Sequence, residues 1–348
     1  MRTYSNTELP EDTGNRPLVT FALFAYNQEA YIREAIEGAF AQTYEPIELI
    51  LSDDCSGDRT FEIMQEMAKN YCGPKKVIVR RTEKNCGTLL HVADVARLAR
   101  GELLVLGAGD DISKPQRTET LVDAWKRSNA WGLCSRFDRI DETGRIISRN
   151  QAIDAFCSPD YSLRQYFASH QDEVKIIHGA TSAYDLRLFD FLETQPTDYI
   201  LAEDGALSVL LNLLEKGVKV LDASLVLYRE SEQSLTNGSN SGRLSYEKIR
   251  KDERAIERFA QSQANRCELL LRHNEKYGAS SAFCLNATRL RDESKRQRMR
   301  NSWWQTSYTE RIQYLLRGST VSELKYYLPR MLPQPIFIAV KTLLKHLQ

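Results

Sequence analysis

The chain has 348 residues, of which 42% are hydrophobic and 27% are charged. This composition is ordinary for a globular protein, and it excludes a disordered chain, a collagen-like fibre and a membrane bundle. Lys and Arg total 47, as do Asp and Glu, so the overall charge argues against a chain-wide nucleic-acid binder. The length exceeds that of a small domain, and we expect one large core with an appended part.

The zero net charge conceals an uneven distribution along the chain. Residues 289–348 carry 12 basic and 4 acidic residues, a net charge of +8, and residues 1–288 therefore carry −8. Seven cysteines are scattered without a C-x-x-C pair, which favours a reduced compartment and a cytoplasmic location. Residues 1–16 are polar, so we interpret them as a flexible leader and not as a signal peptide or membrane anchor.

Apolar runs and helical periodicity alternate through the first third of the chain. The predicted strands are Leu18–Tyr26, Ile47–Ser52, Val77–Arg80 and Leu103–Leu106, and the predicted helices between them cover residues 32–40, 61–71 and 89–99. Strands that alternate with helices predict an α/β fold with a mainly parallel central sheet covered on both faces. Beyond about residue 240 the pattern changes to long charged helices, such as residues 246–277.

Polar residues follow three of the predicted strands, where the ligands of such sheets bind. The first strand runs into Tyr26 and Asn27, and the second into Asp53 and Asp54. The second pair has two interpretations. Ser56 and Asp58 are typical of a turn that caps the next helix, whereas a carboxylate at Asp54 could accept the imide N–H of a uracil or a ribose hydroxyl.

The fourth strand runs into residues 107–111, which read Gly-Ala-Gly-Asp-Asp. A dinucleotide-binding G-x-G-x-x-G motif fails because its third glycine would fall at Ile112. A divalent cation held by one or two carboxylates and by diphosphate oxygens fits Asp110 and Asp111 better. The alternative is a solvated acidic turn.

A third acidic pair, Glu203 and Asp204, begins a predicted helix whose apolar face carries Leu207, Leu210 and Leu214. Carboxylates at a helix N-terminus are favoured by the helix dipole, so a purely structural role is one interpretation. The other is that Asp204 acts as a general base.

The ordered run of these motifs, from Pro17 to about Trp125, resembles the inverting glycosyltransferases of family 2, which have the GT-A fold. The resemblance includes the segment Val19–Thr60, the N-x-G motif at Asn85-Cys86-Gly87, and residues 107–112. It continues more weakly through Ile177-His178-Gly179-Ala180 and Glu203-Asp204.

The resemblance implies a site for a nucleotide-diphosphate sugar, with a UDP-sugar as the expected donor. Phe24 and Tyr26 would lie beside the nucleoside, with Asp54 on the base. Asp110 would be the Mn²⁺ or Mg²⁺ ligand of a motif usually written D-x-D, and Asp111 would lie on the donor side. His178 and Gly179 would form the acceptor-side loop. Glu203 and Asp204 match a catalytic Glu-Asp pair whose Asp is the base.

Three positions depart from the family pattern. Ala108 stands where many members have the first Asp of D-x-D, Val92 where many have an Arg, and Ser231 where a His is common. Arg229 could meet phosphate or form a structural ion pair. These departures favour an alternative of another class, a catalytically silent GT-A module that binds nucleotide sugar or scaffolds a glycan-assembly complex. A nucleotidyltransferase is disfavoured, because no Gly-rich basic signature follows the first strand.

The basic C-terminal part suggests where the acceptor lies. Its basic residues precede Trp303, Trp304 and Tyr308, and residues 336–347 are apolar with two lysines. This run is too short and too charged to span a bilayer, but such a combination is attracted to an anionic membrane surface. The alternative is a helix docked on the protein's own core.

From these observations we predict a GT-A domain over residues 17–240 and a helical extension over residues 241–348. The predicted reaction is sugar transfer to a hydroxyl of a glycan or lipid-linked acceptor in cell-surface polysaccharide synthesis, by an enzyme peripheral to the inner face of the membrane. No nucleic-acid partner is expected.

Overall fold

The computed structural model describes residues 4–5, 16–151, 159–230, 246–316 and 321–346. Two compact units are formed. The first comprises residues 1–238 and 269–287, and the second comprises residues 239–268 and 288–348. The domain boundary near residue 240 stays a prediction, to which the structure adds that segment 269–287 packs with the first unit.

Ten strands form one sheet in the first unit. They are β1 Tyr4–Ser5, β2 Val19–Ala25, β3 Ile47–Asp53, β4 Lys76–Arg81, β5 Leu103–Ala108, β6 Ile112–Ser113, β7 Ala130–Ile140, β8 Ile146–Gln151, β9 Ser182–Asp185 and β10 Gly217–Arg229. The helices are α1 Ile32–Phe40, α2 Thr60–Lys69, α3 Thr88–Ala96, α4 Arg117–Arg127, α5 Glu203–Leu213, α6 Tyr246–Tyr277, α7 Ala287–Ser302, α8 Tyr308–Leu316, α9 Val321–Tyr327 and α10 Gln334–His346. All the predicted strands and helices are present, with ends shifted by at most a few residues.

The sheet has the order β1-β4-β3-β2-β5-β9-β7-β10-β6, with β8 paired to β7. The four predicted strands, β2 to β5, pair in parallel, as expected. Beyond β5 the sheet continues with antiparallel pairs through β9. β9 is only four residues long, and so short a strand leaves no periodic signal in the sequence.

Both faces of the sheet are covered, which confirms the predicted α/β class. Alternate residues of a strand point to opposite faces. Phe21 and Leu23 of β2 accordingly pack with α1, α2 and α4, whereas Ala22 packs with α3 and α5. The helices on the two faces bury both sides of the parallel strands, and only the strand ends remain to carry polar groups.

The second unit is helical and has its own aromatic core. Trp303 is 1% exposed, lies 4.3 Å from the Tyr327 ring and donates its indole N–H to the carbonyl of Arg330. Trp304 packs against Phe337 of α10. For these residues the structure therefore supports docking on the protein's own core. Among the described residues, no helix is long and apolar enough to cross a membrane.

Two buried histidines make the stability of the first unit depend on pH. His91 is 3% exposed and His273 is 0% exposed. Burial lowers the pKa of each to about 4. Since a histidine in an unfolded chain has a pKa of about 6.5, the unfolded state takes up protons first as the pH falls.

We predict that these two histidines contribute a decrease in the free energy of unfolding as the pH falls from about 6.5 towards about 4. His273→Gln should flatten this dependence in urea titrations across the same pH range, whereas the same change at the exposed His170 should leave it unaltered. An equally steep decrease in the His273 variant would contradict the assignment.

Candidate active site

The carboxyl ends of the parallel strands meet in register, as the sequence predicted. Phe24 of β2 lies beside Ser52 of β3 and beside Ala108 of β5. Residues 26–28, 53–58 and 109–111 therefore leave the sheet at one edge. This is the edge at which ligands bind in parallel α/β sheets.

The turn after β3 is built by its own polar side chains. The Asp53 carboxylate accepts from the backbone N–H of Ser56 and pairs with Arg81 at 3.1 Å. Asp58 accepts from the backbone N–H of Thr60, at the start of α2. Asp58 therefore meets the start of α2, whereas the Ser56 hydroxyl accepts from the backbone N–H of Asn27 at 2.8 Å and makes no bond to that helix. The neighbouring Asp54 is the carboxylate left for another role.

Asp54 holds the following loop in place. It is 4% exposed, and its oxygens accept from the backbone N–H groups of Cys86 and Gly87 at 3.0 and 3.1 Å and from the Thr82 hydroxyl at 2.9 Å. Gly87 has φ 79°, which favours glycine. The Cys86 thiol also donates to Asp54, at 3.2 Å. A carboxylate has about four acceptor positions, and four donors within the protein meet them, so base recognition by Asp54 stays a prediction that requires one of these donors to be displaced.

Near Asp54, the side chains of Ser52, Arg80 and His91 form a buried polar cluster that sequence analysis did not predict. Arg80 is 5% exposed and donates to the Ser52 hydroxyl at 2.9 Å, and the same hydroxyl contacts His91 Nε2. The ring of Phe24 meets His91 edge-on, with centroids 5.0 Å apart. Tyr26, by contrast, is 44% exposed. The two aromatic residues predicted beside the nucleoside thus lie in different environments, one packed and one open.

The two carboxylates after β5 have different surroundings. Asp111 is 5% exposed and accepts from the backbone N–H of Arg229 at 2.8 Å. Asp110 is partly exposed. Burial raises the pKa of Asp110, and a hydrogen bond from the Gln28 side chain opposes that shift. Gln28 is a site residue that sequence analysis missed, although it follows Tyr26 and Asn27 directly.

Gly109 allows the loop before Asp110 to pass close to β2. A Cβ built on Gly109 would lie 2.7 Å from Ala25 Cβ, and the Gly109 N–H donates to the Phe24 carbonyl at 2.8 Å. The small residues before Asp110 therefore allow this loop to pack closely against the strand β2.

Arg229 forms a structural ion pair, which was one of its two interpretations. It is 1% exposed, pairs with Glu34 at 2.7 Å and donates from Nε to the Asp110 carbonyl at 2.9 Å. Its Nη1 donates to two further carbonyls, those of Asp141 and Glu142. Four of the five guanidinium N–H groups are thus engaged within the protein, so Arg229 holds the Asp110 loop instead of facing phosphate.

Asp204 lies at the first turn of α5 and contacts the acceptor-side loop. Its oxygens accept from the backbone N–H groups of Gly179 at 3.1 Å and of Gly205 at 2.8 Å. A Cβ on Gly179 would lie 2.6 Å from Glu203 Oε1. His178 stacks on Phe137, with ring centroids 5.3 Å apart. The predicted catalytic pair and the predicted acceptor-side residues are therefore brought together.

The Asp54 loop and the Asp204 helix are joined through Ile200. The carbonyl of Ile200 accepts from the backbone N–H of Leu89 at 3.2 Å and from the Thr88 hydroxyl at 3.3 Å. Both donors follow Gly87, whose N–H binds Asp54. Leu201 and Ala202 separate Ile200 from the predicted Glu203-Asp204 pair, so the loop held by Asp54 contacts the segment that leads into α5.

The residues around Asp110 fit a cation that is shared with a substrate. In the described part of the chain, no three His, Cys, Asp or Glu side chains are grouped to hold a metal. Asp110 keeps a partly exposed carboxylate, whereas Asp111 is committed to the Arg229 backbone. Mg²⁺ and Mn²⁺ sites often use one or two carboxylates and complete their shell with phosphate oxygens and water.

The three residues that depart from the family pattern lie in different surroundings, and one of them lies outside the described residues. Val92 is 2% exposed and belongs to the core, so it offers no group to phosphate. Ala108 ends β5 beside Phe24. Ser231 lies outside the described residues.

Residues 20–193 match the model of glycosyl transferase family 2. Because this segment is half of the chain, the protein belongs to glycosyltransferase family 2.

Curated relatives match over shorter segments. An 88-residue segment is 47% identical to an uncharacterized protein of Mycobacterium tuberculosis and covers 25% of each chain. Chondroitin synthase of Escherichia coli is 31% identical over 38% of this chain and 19% of its own length. The putative glycosyltransferase EpsE of Bacillus subtilis is 35% identical over 30% of this chain and 37% of its own. The matches thus span well under half of these relatives.

Solved structures share the fold over most of the chain. Staphylococcus aureus TarS 1-349 in complex with UDP-GlcNAc has a TM-score of 0.51 and 16% identity, covering 92% of this chain and 81% of that one. GalNAc-T7 with UDP, GalNAc and Mn²⁺ has a TM-score of 0.54 and 16% identity, covering 83% of this chain and 59% of that one. These likenesses confirm the GT-A type of α/β fold.

Proposed function

We propose that the protein is an inverting glycosyltransferase that moves a sugar from a nucleotide-diphosphate donor, expected to be a UDP-sugar, to an acceptor hydroxyl. The observation that carries this proposal is the position of Asp204, held by the Gly179 and Gly205 N–H groups at the start of α5. The UDP-GlcNAc and UDP bound by the two structural neighbours support the choice of donor.

In the proposed reaction, Asp204 removes the proton from the acceptor hydroxyl as that oxygen attacks the anomeric carbon. An aspartate is ordinarily ionised near neutral pH, and the two backbone N–H donors together with the N-terminus of α5 favour the charged form. Attack on the face opposite to the leaving group inverts the anomeric centre, as in inverting glycoside hydrolysis. Glu203 and Gly179 shape the acceptor side, and His178 lines it.

On the donor side, Phe24 and Tyr26 would flank the nucleoside and Asp54 would accept from the base. Asp110 would hold a Mn²⁺ or Mg²⁺ ion, which when bound supplies positive charge to the departing diphosphate. Gln28 and Arg229 orient Asp110, the first through its side chain and the second through its carbonyl. Asp111 contributes by fixing the same loop to β10.

The acceptor is proposed to be a glycan or a lipid-linked glycan in cell-surface polysaccharide synthesis. The similarity to chondroitin synthase supports a glycan as the class of acceptor. The catalytically silent alternative rests on Val92 and Ala108, which supply no polar group at two positions where the family often has one.

We predict that Asp204→Asn lowers kcat by about 10³-fold, because a positioned general base contributes about that factor. Donor affinity should stay within about twofold, since Asp204 acts on the acceptor proton. The measurement is UDP release from a panel of UDP-sugars with glycan acceptors, together with calorimetric donor binding. Asp190→Asn, the same change at an exposed carboxylate, is the control.

Near-normal turnover in the Asp204 variant would remove this residue from the role of base. A wild-type protein that binds a UDP-sugar and releases no UDP with any acceptor would favour the catalytically silent alternative.

We predict that Asp110→Ala weakens UDP-sugar binding in the presence of Mn²⁺ by at least about tenfold, equivalent to about 1.4 kcal/mol. In EDTA, the affinities of wild type and variant should converge, because the lost interaction is mediated by the cation. Calorimetry with and without Mn²⁺ measures both values, and Asp172→Ala, at an exposed position, is the control. Equal Mn²⁺-dependent affinity in the variant would refute the ligand assignment.

The proposal also places the protein on an anionic membrane surface, through a face of the second unit. Along α8, Tyr308, Ile312 and Leu316 are 49%, 48% and 80% exposed. Their spacing of four residues puts them on one side of the helix, while Arg311 is buried on another. In α10, Ile336 and Val340 have the same spacing and are also exposed.

The occupant that these faces fit is an anionic bilayer. Residues 289–348 carry a net charge of +8, and Lys295 and Lys325 are exposed. Apolar side chains that enter the headgroup region, with basic residues nearby, are typical of interfacial helices. Trp303 is buried and cannot contact a membrane. The exposed side chains of Tyr308, Ile312 and Leu316 on α8 would make that contact instead.

We predict that the full chain floats with phosphatidylglycerol liposomes and not with phosphatidylcholine liposomes. The double variant Ile312→Asp/Leu316→Asp should lose most of this binding, because it places charge in the apolar stripe. Leu98→Asp, at an exposed leucine of the first unit, is the control. Flotation that the double variant leaves unchanged would overturn the proposal.

A further inference from the structure

Arg117, the first residue of α4, is a fully buried arginine close to the proposed site. It is 0% exposed. Its Nη2 donates to the carbonyls of Leu106 at 2.7 Å, Ala180 at 3.2 Å and Ser182 at 3.3 Å, and its Nη1 donates to the Ser113 hydroxyl at 2.8 Å. Sequence analysis did not single it out, because one arginine at a helix start is an ordinary surface pattern.

The acceptors of Arg117 belong to the two sides of the proposed reaction. Leu106 and Ser113 flank the loop that carries Asp110. Ala180 belongs to the turn whose Gly179 N–H binds Asp204 at 3.1 Å, and Ser182 begins β9 directly after that turn. One rigid guanidinium group is therefore bonded both to the donor-side strand end and to the turn that holds the base.

Stability alone is a poor explanation for this side chain. Removing a guanidinium from water costs several kcal/mol, and an apolar side chain of similar size is often tolerated as well or better. The Arg117 Nε atom has no hydrogen-bond partner, so the nearby charge of the buried Asp111 offsets the cost of burial only in part. What an apolar residue could not provide is a planar group of donors that fixes the spacing of several carbonyl groups.

We propose that Arg117 is a positioning residue that sets the spacing between the loop carrying Asp110 and the turn holding Asp204. This inference rests on the proposed function, because the spacing matters only if the two carboxylates act on one donor and one acceptor. A displacement of about 1 Å between reacting groups can cost about 10²-fold in rate. Neither carboxylate touches Arg117 through a hydrogen bond, so each keeps its own chemistry when Arg117 is replaced.

The test compares Arg117→Met and Arg117→Lys in the full-length protein, with UDP-sugar and the acceptor that supports wild-type turnover. We expect kcat to fall about 10²-fold in the Met variant, with the Mn²⁺-dependent donor affinity within about twofold of wild type. Lys keeps the charge without the planar fork, so its kcat should lie between the two. Arg311→Met is the matched control, because Arg311 is 5% exposed and donates to the carbonyls of Thr306 and Trp304 in the second unit.

Thermal unfolding and circular dichroism establish which variants fold. Folded Arg117 variants with wild-type kcat, or with kcat and donor affinity reduced in equal proportion, would overturn the proposal. Ser113→Ala removes the hydroxyl that accepts a hydrogen bond from Arg117 and leaves Arg117 itself unchanged. We expect it to lower kcat about fivefold, which corresponds to the free energy of about one hydrogen bond. If neither Arg117 variant folds, an unchanged kcat in Ser113→Ala overturns it. A wild-type protein without turnover, by contrast, would refute the proposed function itself.

Discussion

Hydrogen bonds from backbone N–H groups to the buried carboxylate of Asp54 and to the partly buried carboxylate of Asp204 are the interactions on which the site depends. Asp54 receives them from Cys86 and Gly87, and Asp204 receives one from Gly179. The Asp54 bonds tie the loop after β3 to the loop after β4, and the Asp204 bond ties the first turn of α5 to the turn before β9. An unsatisfied buried carboxylate is costly, so these loops are held at the sheet edge by the same groups that give it its negative charge.

Buried arginines complete this arrangement by bonding to carbonyl groups. Arg229 fixes the Asp110 carbonyl from β10, and Arg117 joins the β5 end to the turn at Ala180. Because a guanidinium is planar and presents several donors in fixed directions, it can hold several loops at once. These bonds hold the loops around the site in place, while the side chains of Asp110 and Tyr26 stay accessible to a ligand.

The second unit has both buried and exposed large apolar side chains. Trp303 and Phe337 form its interior, whereas Ile312 and Leu316 remain exposed. Apolar side chains on an exposed helix face are unfavourable in water unless a partner covers them. Under the proposed function, that partner is an anionic membrane surface, to which the basic character of residues 289–348 is complementary.

The local pattern of the sequence determined the strands β2 to β5, their helices and the edge at which Asp54 and Asp110 lie, because period-two and period-3.6 apolar spacing reports directly on burial. The family motifs likewise located Asp204. Only the tertiary structure decided that β9 inserts antiparallel beside β5, that Arg229 supports a loop instead of facing phosphate, and that Arg117 joins two loops. These outcomes depend on contacts between residues more than sixty positions apart, and no local pattern records which distant carbonyl a buried side chain will meet.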